Sequence, residues 1–195
     1  MNTDDISKEL EKCLKHKRYV HSIGVAYTAA NLAMRYNYDV NKAFKAGLLH
    51  DCGKYMSDEE SLKFCKDNNI PVSNAERKTK ALLHAKIGEF LAKKKYAEDD
   101  MEILSAIRWH TTGKPDMNIS EKIVFVADYI EPNREHDKEL PVIRKLAYSD
   151  IDKCIVKIYE NTINYINGSN KKMDPTTIEA YNYYQNLLRM QENND

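Results

Sequence analysis

Apolar residues in this chain recur at three- and four-residue spacing through segment after segment, and no stretch alternates convincingly at spacing two. That pattern restricts the chain to helices packed on helices. Ile6, Leu10, Cys13 and Leu14 share one face behind Thr3 or Asp4 as cap, and Lys17 to Tyr36 carries a broad apolar side from Val20 to Met34. Asp39 caps a shorter helix that runs through Ala43, Phe44, Gly47 and Leu48 into His50-Asp51, with Gly53 expected to end it in left-handed geometry. Ser57-Asp58-Glu59-Glu60 reads as a capping box, and Asn68 to Pro71 breaks the helix it opens. Val72 to Lys78 reads as a mobile loop over a site. Further helices are expected from Thr79 into the lysine run at 93–95, from Glu98 to Trp109, from Glu121 to Ile130, from Asp150 to Ile166, and from Asp174 with Pro175 in its first turn. Six glycines and five prolines in 195 residues leave few turns, and the length suits one domain of the usual ~100–200 residues. The expectation is an all-α, single-domain chain over 1–190, with a disordered polar tail at 191–195.

Thirty basic residues balance thirty acidic ones, so no global field points to nucleic acid or an anionic membrane, and an anionic ligand must be met by a local basic patch. No apolar run approaches the ~20 residues of a membrane span, and the Met-Asn-Thr-Asp-Asp start shows no signal peptide. Cys13, Cys52, Cys65 and Cys154 form no C-x-x-C pair and read as reduced thiols of a cytoplasmic protein, Cys52 as a small side chain near the core.

Against that background the histidines divide. His16 and His136 lie in charged, loop-like surroundings and read as surface residues. His21, His50, His84 and His110 each lie within or at the end of an apolar helical segment. Asp51 adjoins His50, and Asp128 follows Val124-Phe125-Val126-Ala127, where a carboxylate is costly to bury unless paired or metal-bound. Helical bundles build metal sites from such widely separated, inward-projecting ligands. Four imidazoles and two carboxylates are too many for one tetrahedral zinc ion with an open position, and suit two ions with one carboxylate as bridge. Nitrogen and oxygen ligands without cysteine fit iron, manganese or cobalt, with zinc also admissible. A two-metal site supplies hydroxide near neutral pH and clamps attacking and leaving oxygens, which suits phosphoryl hydrolysis.

The order His21, His50-Asp51, His84, His110, Asp128 resembles the HD-domain metal-dependent phosphohydrolase superfamily in its form with two additional histidines, over about Lys17 to Arg134. The flanking residues narrow this. Lys17 to Val25 (KRYVHSIGV), His110-Thr111-Thr112-Gly113, and Ala127 to Arg134 (ADYIEPNR) resemble the bacterial HD-type symmetrical bis(5′-nucleosyl)-tetraphosphatases. Asn133 departs from the glycine common at that place in the family. The resemblance implies an HD-type helical bundle with its motif-bearing core at 17–134 and C-terminal helices at 150–190. It implies splitting of diadenosine tetraphosphate into two ADP by a metal-bound hydroxide attacking an inner phosphorus. His21, His50, Asp51 and Asp128 would hold one ion, His84 and His110 would complete the second, and Asp51 would bridge them in a di-iron centre. Asp51, Lys54 and Arg18 are the implied catalytic residues, and Lys54, Arg18, Arg134, Thr111, Thr112 and Gly113 the substrate contacts. The implied partner is a small-molecule nucleotide, with no nucleic acid, no membrane and a homodimer left open. Other HD-type activity on nucleoside triphosphates or cyclic nucleotides, and di-iron oxygenation, are the alternatives.

Overall fold

The computed structural model describes residues 1–135, 138–169 and 172–193, which form eleven α-helices and no strand. The all-α expectation holds. In order they are α1 (Thr3–Cys13), α2 (His16–Arg35), α3 (Val40–Leu49), α4 (Asp58–Asp67), α5 (Asn74–Lys78), α6 (Leu83–Lys94), α7 (Met101–Trp109), α8 (Ile119–Ile130), α9 (Leu140–Ser149), α10 (Ile151–Asn167) and α11 (Pro175–Glu192). A single 3-10 turn, Lys80–Leu82, leads into α6.

Local chemistry fixes most of the starts. The side chains of Asn2, Asp39, Asp100, Asp150 and Asp174 each accept from a backbone N–H of the following turn. Ser57 with Glu60, Ser73 with Glu76, and Asn118 with Glu121 form reciprocal capping boxes.

Four expectations are corrected. The stretch Val72 to Lys78, read as a loop, contains α5, because the Ser73–Glu76 box nucleates a turn that the polar composition hid. The helix expected from Glu98 starts at Met101; Ala97 takes a positive φ of 53° and Glu98 spends its carboxylate on the N–H groups of Asp99 and Asp100. Helix α9 was not anticipated; Leu140, Ile143 and Ala147 bury its inner face. Helix α11 runs to Glu192, two residues into the tail expected to be disordered. The rest of that tail beyond Asn193, and His136, lie outside the described residues.

Two apolar clusters fill the bundle. One gathers Val25, Ala29, Ala43, Phe125, Ile143, Ile155, Tyr159 and Tyr184 beneath α8 to α11. The other gathers Ile6, Leu10, Leu48, Cys65, Leu83, Ile87, Ile107 and Val124 among α1, α3, α4, α6 and α7. Ile6 and Leu10 are 1% and 0% exposed. At about 1.5–3 kcal/mol for each buried aliphatic side chain, they suffice to dock α1. Helices α2, α3 and α8 contribute to both clusters and form the partition between them. Their packing is close: a Cβ on Gly47 of α3 would lie 2.9 Å from Cα of Ala26 on α2. The polar centre of the molecule lies at the ends of this partition.

Candidate metal centre

All six residues singled out from the sequence converge. His50 caps the C-terminus of α3 and is completely buried, and Asp51 follows it at 2% exposure. His21 projects from the second turn of α2, His84 from the first turn of α6, His110 from the C-cap of α7, and Asp128 from α8. The imidazole rings form a chain, with centroids 5.2 Å apart for His21 and His50, 4.9 Å for His50 and His110, and 4.9 Å for His84 and His110. Three overlapping groups hold their ligand atoms within 4.8 Å of one another: His21 with His50 and Asp51, His50 with His110 and Asp128, and Asp51 with His84 and His110. Asp51 belongs to the groups at both ends, with Oδ2 3.5 Å from His50 Nε2 and Oδ1 3.2 Å from His84 Nε2 and 3.7 Å from His110 Nε2.

The donor set passes a chemical test for cations. Nδ1 of His50 is 2.7 Å from the carbonyl oxygen of Gly47, Nδ1 of His110 is 2.7 Å from that of Ile107, and Nδ1 of His84 bonds that of Ala81. Nδ1 of His21 is 3.1 Å from Oε1 of Glu131. An acceptor at every Nδ1 places the ring proton there and leaves every Nε2 as a lone pair turned inward, the tautomer a metal ligand needs. Nε2 of His21 and of His50 are buried without a hydrogen-bond partner. His21 Nε2 is 2.9 Å from Asp128 Oδ1, a separation that a proton or a cation held between them has to bridge. Nε2 of His84 and of His110 face each other at 3.0 Å. Converging acceptors with too few donors between them are costly unless a cation is shared.

Electrostatics point the same way. Burial alone would raise the Asp51 carboxyl, yet His50, His110 and His84 around it hold it well below the usual carboxylate range. Asp128 behaves alike: burial raises it, and His21, His50 and Arg134 outweigh that. Burial pushes His84 down to about 4, so it remains a neutral donor near pH 7. Both carboxylates are therefore ionised and the neutral His84 ring is available as a ligand.

The cations expected at substrate phosphates surround this core. Arg18 Nη1 donates to Asp51 Oδ2 at 2.7 Å, and Arg134 donates to Asp128 through Nη2 to Oδ1 at 2.7 Å and Nε to the carbonyl at 3.0 Å. Lys54 Nζ lies 3.1 Å from His84 Nδ1, and burial lowers its pKa. Thr111 Oγ1 is 3.1 Å from His84 Nε2 and 2.9 Å from His110 Nε2, at the mouth of the cluster. Its neighbours differ. Thr112 Oγ1 donates to the Gly113 carbonyl at 3.0 Å. Gly113 is buried, its N–H donates to Trp109 O at 2.9 Å, and a Cβ there would overlap Tyr159 Oη at 1.8 Å. Gly113 thus has no free N–H for a phosphate; packing against Tyr159 and a φ of 61° explain the glycine.

Gly53 is also corrected. It is not left-handed; a Cβ at this position would lie 2.7 Å from the His84 carbonyl and 2.9 Å from the Gly88 nitrogen. The glycine permits the segment after Asp51 to touch α6, which sets Asp51 beside His84.

Glu131 is a functional residue that sequence reasoning misses. It is 1% exposed, and besides His21 it accepts from the N–H and Nδ2 of Asn133 at 2.8 and 2.9 Å through Oε2. A Cβ on Gly24 would lie 2.5 Å from that Oε2. The spacing His21-x-x-Gly24 together with Glu131-Pro132-Asn133 was the available signal. Cys52 is buried beside the cluster, with Sγ donating to Gly88 O at 3.3 Å, as a packed side chain.

Comparison with known proteins agrees with this arrangement. Residues 18–133 match the HD domain family. The chain is 34% identical over 183 residues to the symmetrical bis(5′-nucleosyl)-tetraphosphatase of Bacillus subtilis, covering 94% of this chain and 97% of that one. It is 33% identical over 190 residues to the Staphylococcus aureus enzyme of the same name, covering 94% and 95%. A solved HD superfamily hydrolase from Clostridium acetobutylicum, named as involved in NAD metabolism, superposes with a TM-score of 0.92 at 40% identity, over 96% of this chain and 98% of that one.

Proposed function

The chain belongs to the HD-domain family, among the symmetrical bis(5′-nucleosyl)-tetraphosphatases, and from that premise we propose that it hydrolyses dinucleoside tetraphosphates at the central anhydride, diadenosine tetraphosphate giving two ADP. The observation that carries this reading is the convergence of four inward-facing imidazole Nε2 atoms on two ionised carboxylates, ringed by Arg18, Lys54 and Arg134.

His21, His50, Asp51 and Asp128 would hold one divalent ion, and His84 and His110 the second, with Asp51 common to both. Iron is the proposed metal, with manganese, cobalt and zinc as alternatives suited to the same donors. When bound, the ions supply hydroxide near neutral pH and withdraw charge from phosphoryl oxygens. The chain's own residues do the rest. The Nδ1–H bonds to Gly47, Ala81, Ile107 and Glu131 fix each ring, so no rotamer search precedes the reaction. Arg18, Lys54 and Arg134 offset negative charge as water adds to one inner phosphorus and the bridging oxygen leaves with the other half. Thr111 offers a hydroxyl to a phosphate oxygen at the His84–His110 end. Thr112 stands further from the cluster, where the departing or arriving nucleotide passes. Four free cysteines and the absence, among the described residues, of a helix long and apolar enough to cross a membrane support action in the cytoplasm.

Purified protein incubated with diadenosine tetraphosphate tests this directly. ADP as sole product is expected, and iron is expected by elemental analysis of protein prepared without chelator. AMP with ATP would rule out symmetrical cleavage, and turnover of nucleoside triphosphates or cyclic nucleotides in its place would move the chain to a different HD-type activity.

A further inference from the structure

Two concave regions lie towards opposite ends of the metal cluster, and their chemistry differs. One is a groove of about 650 Å³ that reaches Arg18, His21 and Arg134. Lys15 and Lys17 also line it, and neither has a carboxylate within 4 Å among the described residues. Unpaired cations suit a polyanion. The other is a cavity of about 300 Å³ that runs from Thr111, whose hydroxyl lies 3.1 and 2.9 Å from Nε2 of His84 and His110, past Trp109 to the start of α11. Its cations are already paired: Lys86 with Glu76 at 2.7 Å and Arg108 with Glu89 at 3.6 Å. The Arg108 guanidinium also stacks on the Trp109 ring, 4.5 Å from its centroid. The far wall carries Asp174 and Thr176.

We infer that the cavity against Trp109 binds the nucleoside of one substrate arm, with its base on the Trp109–Arg108 stack and its phosphates running past Thr111 to the metal cluster. Flat aromatic and guanidinium surfaces are what unpaired bases stack on, and internally neutralised walls bring no excess cation to compete for phosphate. Ligand sites begin near ~300 Å³, so the cavity has room for one nucleoside and not for a dinucleotide. Central cleavage requires an arm on each side of the metals, and the Lys15–Lys17 groove, which reaches His21, offers space for the second. The inference rests on the proposed dinucleotide substrate and adds the residues that read the base.

Trp109 is the single tryptophan of the chain, so its emission reports this cavity alone. The metal-loaded protein is titrated with ADP, adenosine and pyrophosphate. ADP and adenosine are expected to change the emission saturably and pyrophosphate to leave it flat; an equal response to pyrophosphate, or none to ADP, overturns the assignment. A Thr176→Phe variant fills the cavity from α11 without touching a proposed metal ligand. It is expected to raise KM for diadenosine tetraphosphate about tenfold, with kcat and metal content near the parent values. An unchanged KM would equally overturn the assignment. If the protein does not cleave dinucleoside tetraphosphates at all, the substrate reading fails, while the adenosine titration still decides whether this cavity holds a nucleoside.

Discussion

The two ends of the candidate metal centre orient their histidines by different means. At one end and in the middle, His84, His110 and His50 each bond through Nδ1 to the backbone carbonyl three residues earlier. His50 and His110 cap helix C-termini, where the last carbonyls are otherwise unpaired, and His84 lies in the first turn of α6, directly after the 3-10 turn that holds Ala81. At the other end His21 lies within α2, where backbone carbonyls are consumed by the helix, and its Nδ1 turns instead to Glu131, 110 residues away. A helix terminus orients its own ligand; a helix interior borrows an orienting group from elsewhere in the fold. The first kind resists side-chain mutation because its orienting group is backbone. The second can be removed by one substitution.

This contrast can be broken or sharpened by mutation. The largest effect is expected at the residue shared by both ends. Asp51→Ala should lower kcat by on the order of 10³-fold and deplete metal at both ends, measured by steady-state hydrolysis and elemental analysis together. Full metal content in that variant would remove Asp51 as the common ligand. Next, Glu131→Ala should cost roughly 10–100-fold in activity or metal affinity, as loss of an orienting partner typically does, with depletion confined to one ion per chain. Loss of both ions would show that the two ends are not independently built. Glu131→Gln keeps an acceptor for Nδ1–H and should recover part of the loss.

Glycine substitutions compare the two ends by packing. At the backbone-oriented end, an alanine at Gly53 meets the immovable His84 carbonyl at 2.7 Å, and overpacking of this kind costs about 1–3 kcal/mol of stability, read as a lowered thermal midpoint. At the other, an alanine at Gly24 meets only the flexible Glu131 carboxylate, so its effect should appear in metal affinity more than in thermal stability. Equal thermal shifts for the two variants would contradict the distinction. The smallest effect is expected for Asn133→Ala, which removes one of two Asn133 donors to Glu131 and leaves the backbone N–H at 2.8 Å; a loss of about 1 kcal/mol or less is anticipated, seen as a shift of a few-fold in metal affinity.

Much of the site was legible because its ligands announce themselves locally. His50 and His110 occur at helix ends read from caps and apolar spacing, His84 falls within an apolar helical segment, and a carboxylate after Val124-Phe125-Val126-Ala127 is costly there without a partner. The errors have one cause: long-range contacts outweighed local preference. Gly53 looked like a helix stop, but it is a point of contact with α6. Gly113 looked like a phosphate loop, but it gives way to Tyr159. Val72 to Lys78 looked like a loop, since its polar composition conceals a cap that is satisfied in the reciprocal Ser73–Glu76 form. Trp109 and Arg108 are not legible in the sequence, because stacking surfaces carry no spacing signature.

By itself the sequence determined the helical class, most helix starts and the six side chains that converge in the candidate metal centre, because periodicity, capping and donor chemistry act within a few residues. Only the tertiary structure decided that Glu131 orients His21, that Gly47 and Gly53 let α2, α3 and α6 approach closely enough to bring the ligands together, and that one side of the cluster is cationic while the other is an aromatic cavity. Those features depend on distances between segments up to 110 residues apart, and no local preference encodes them.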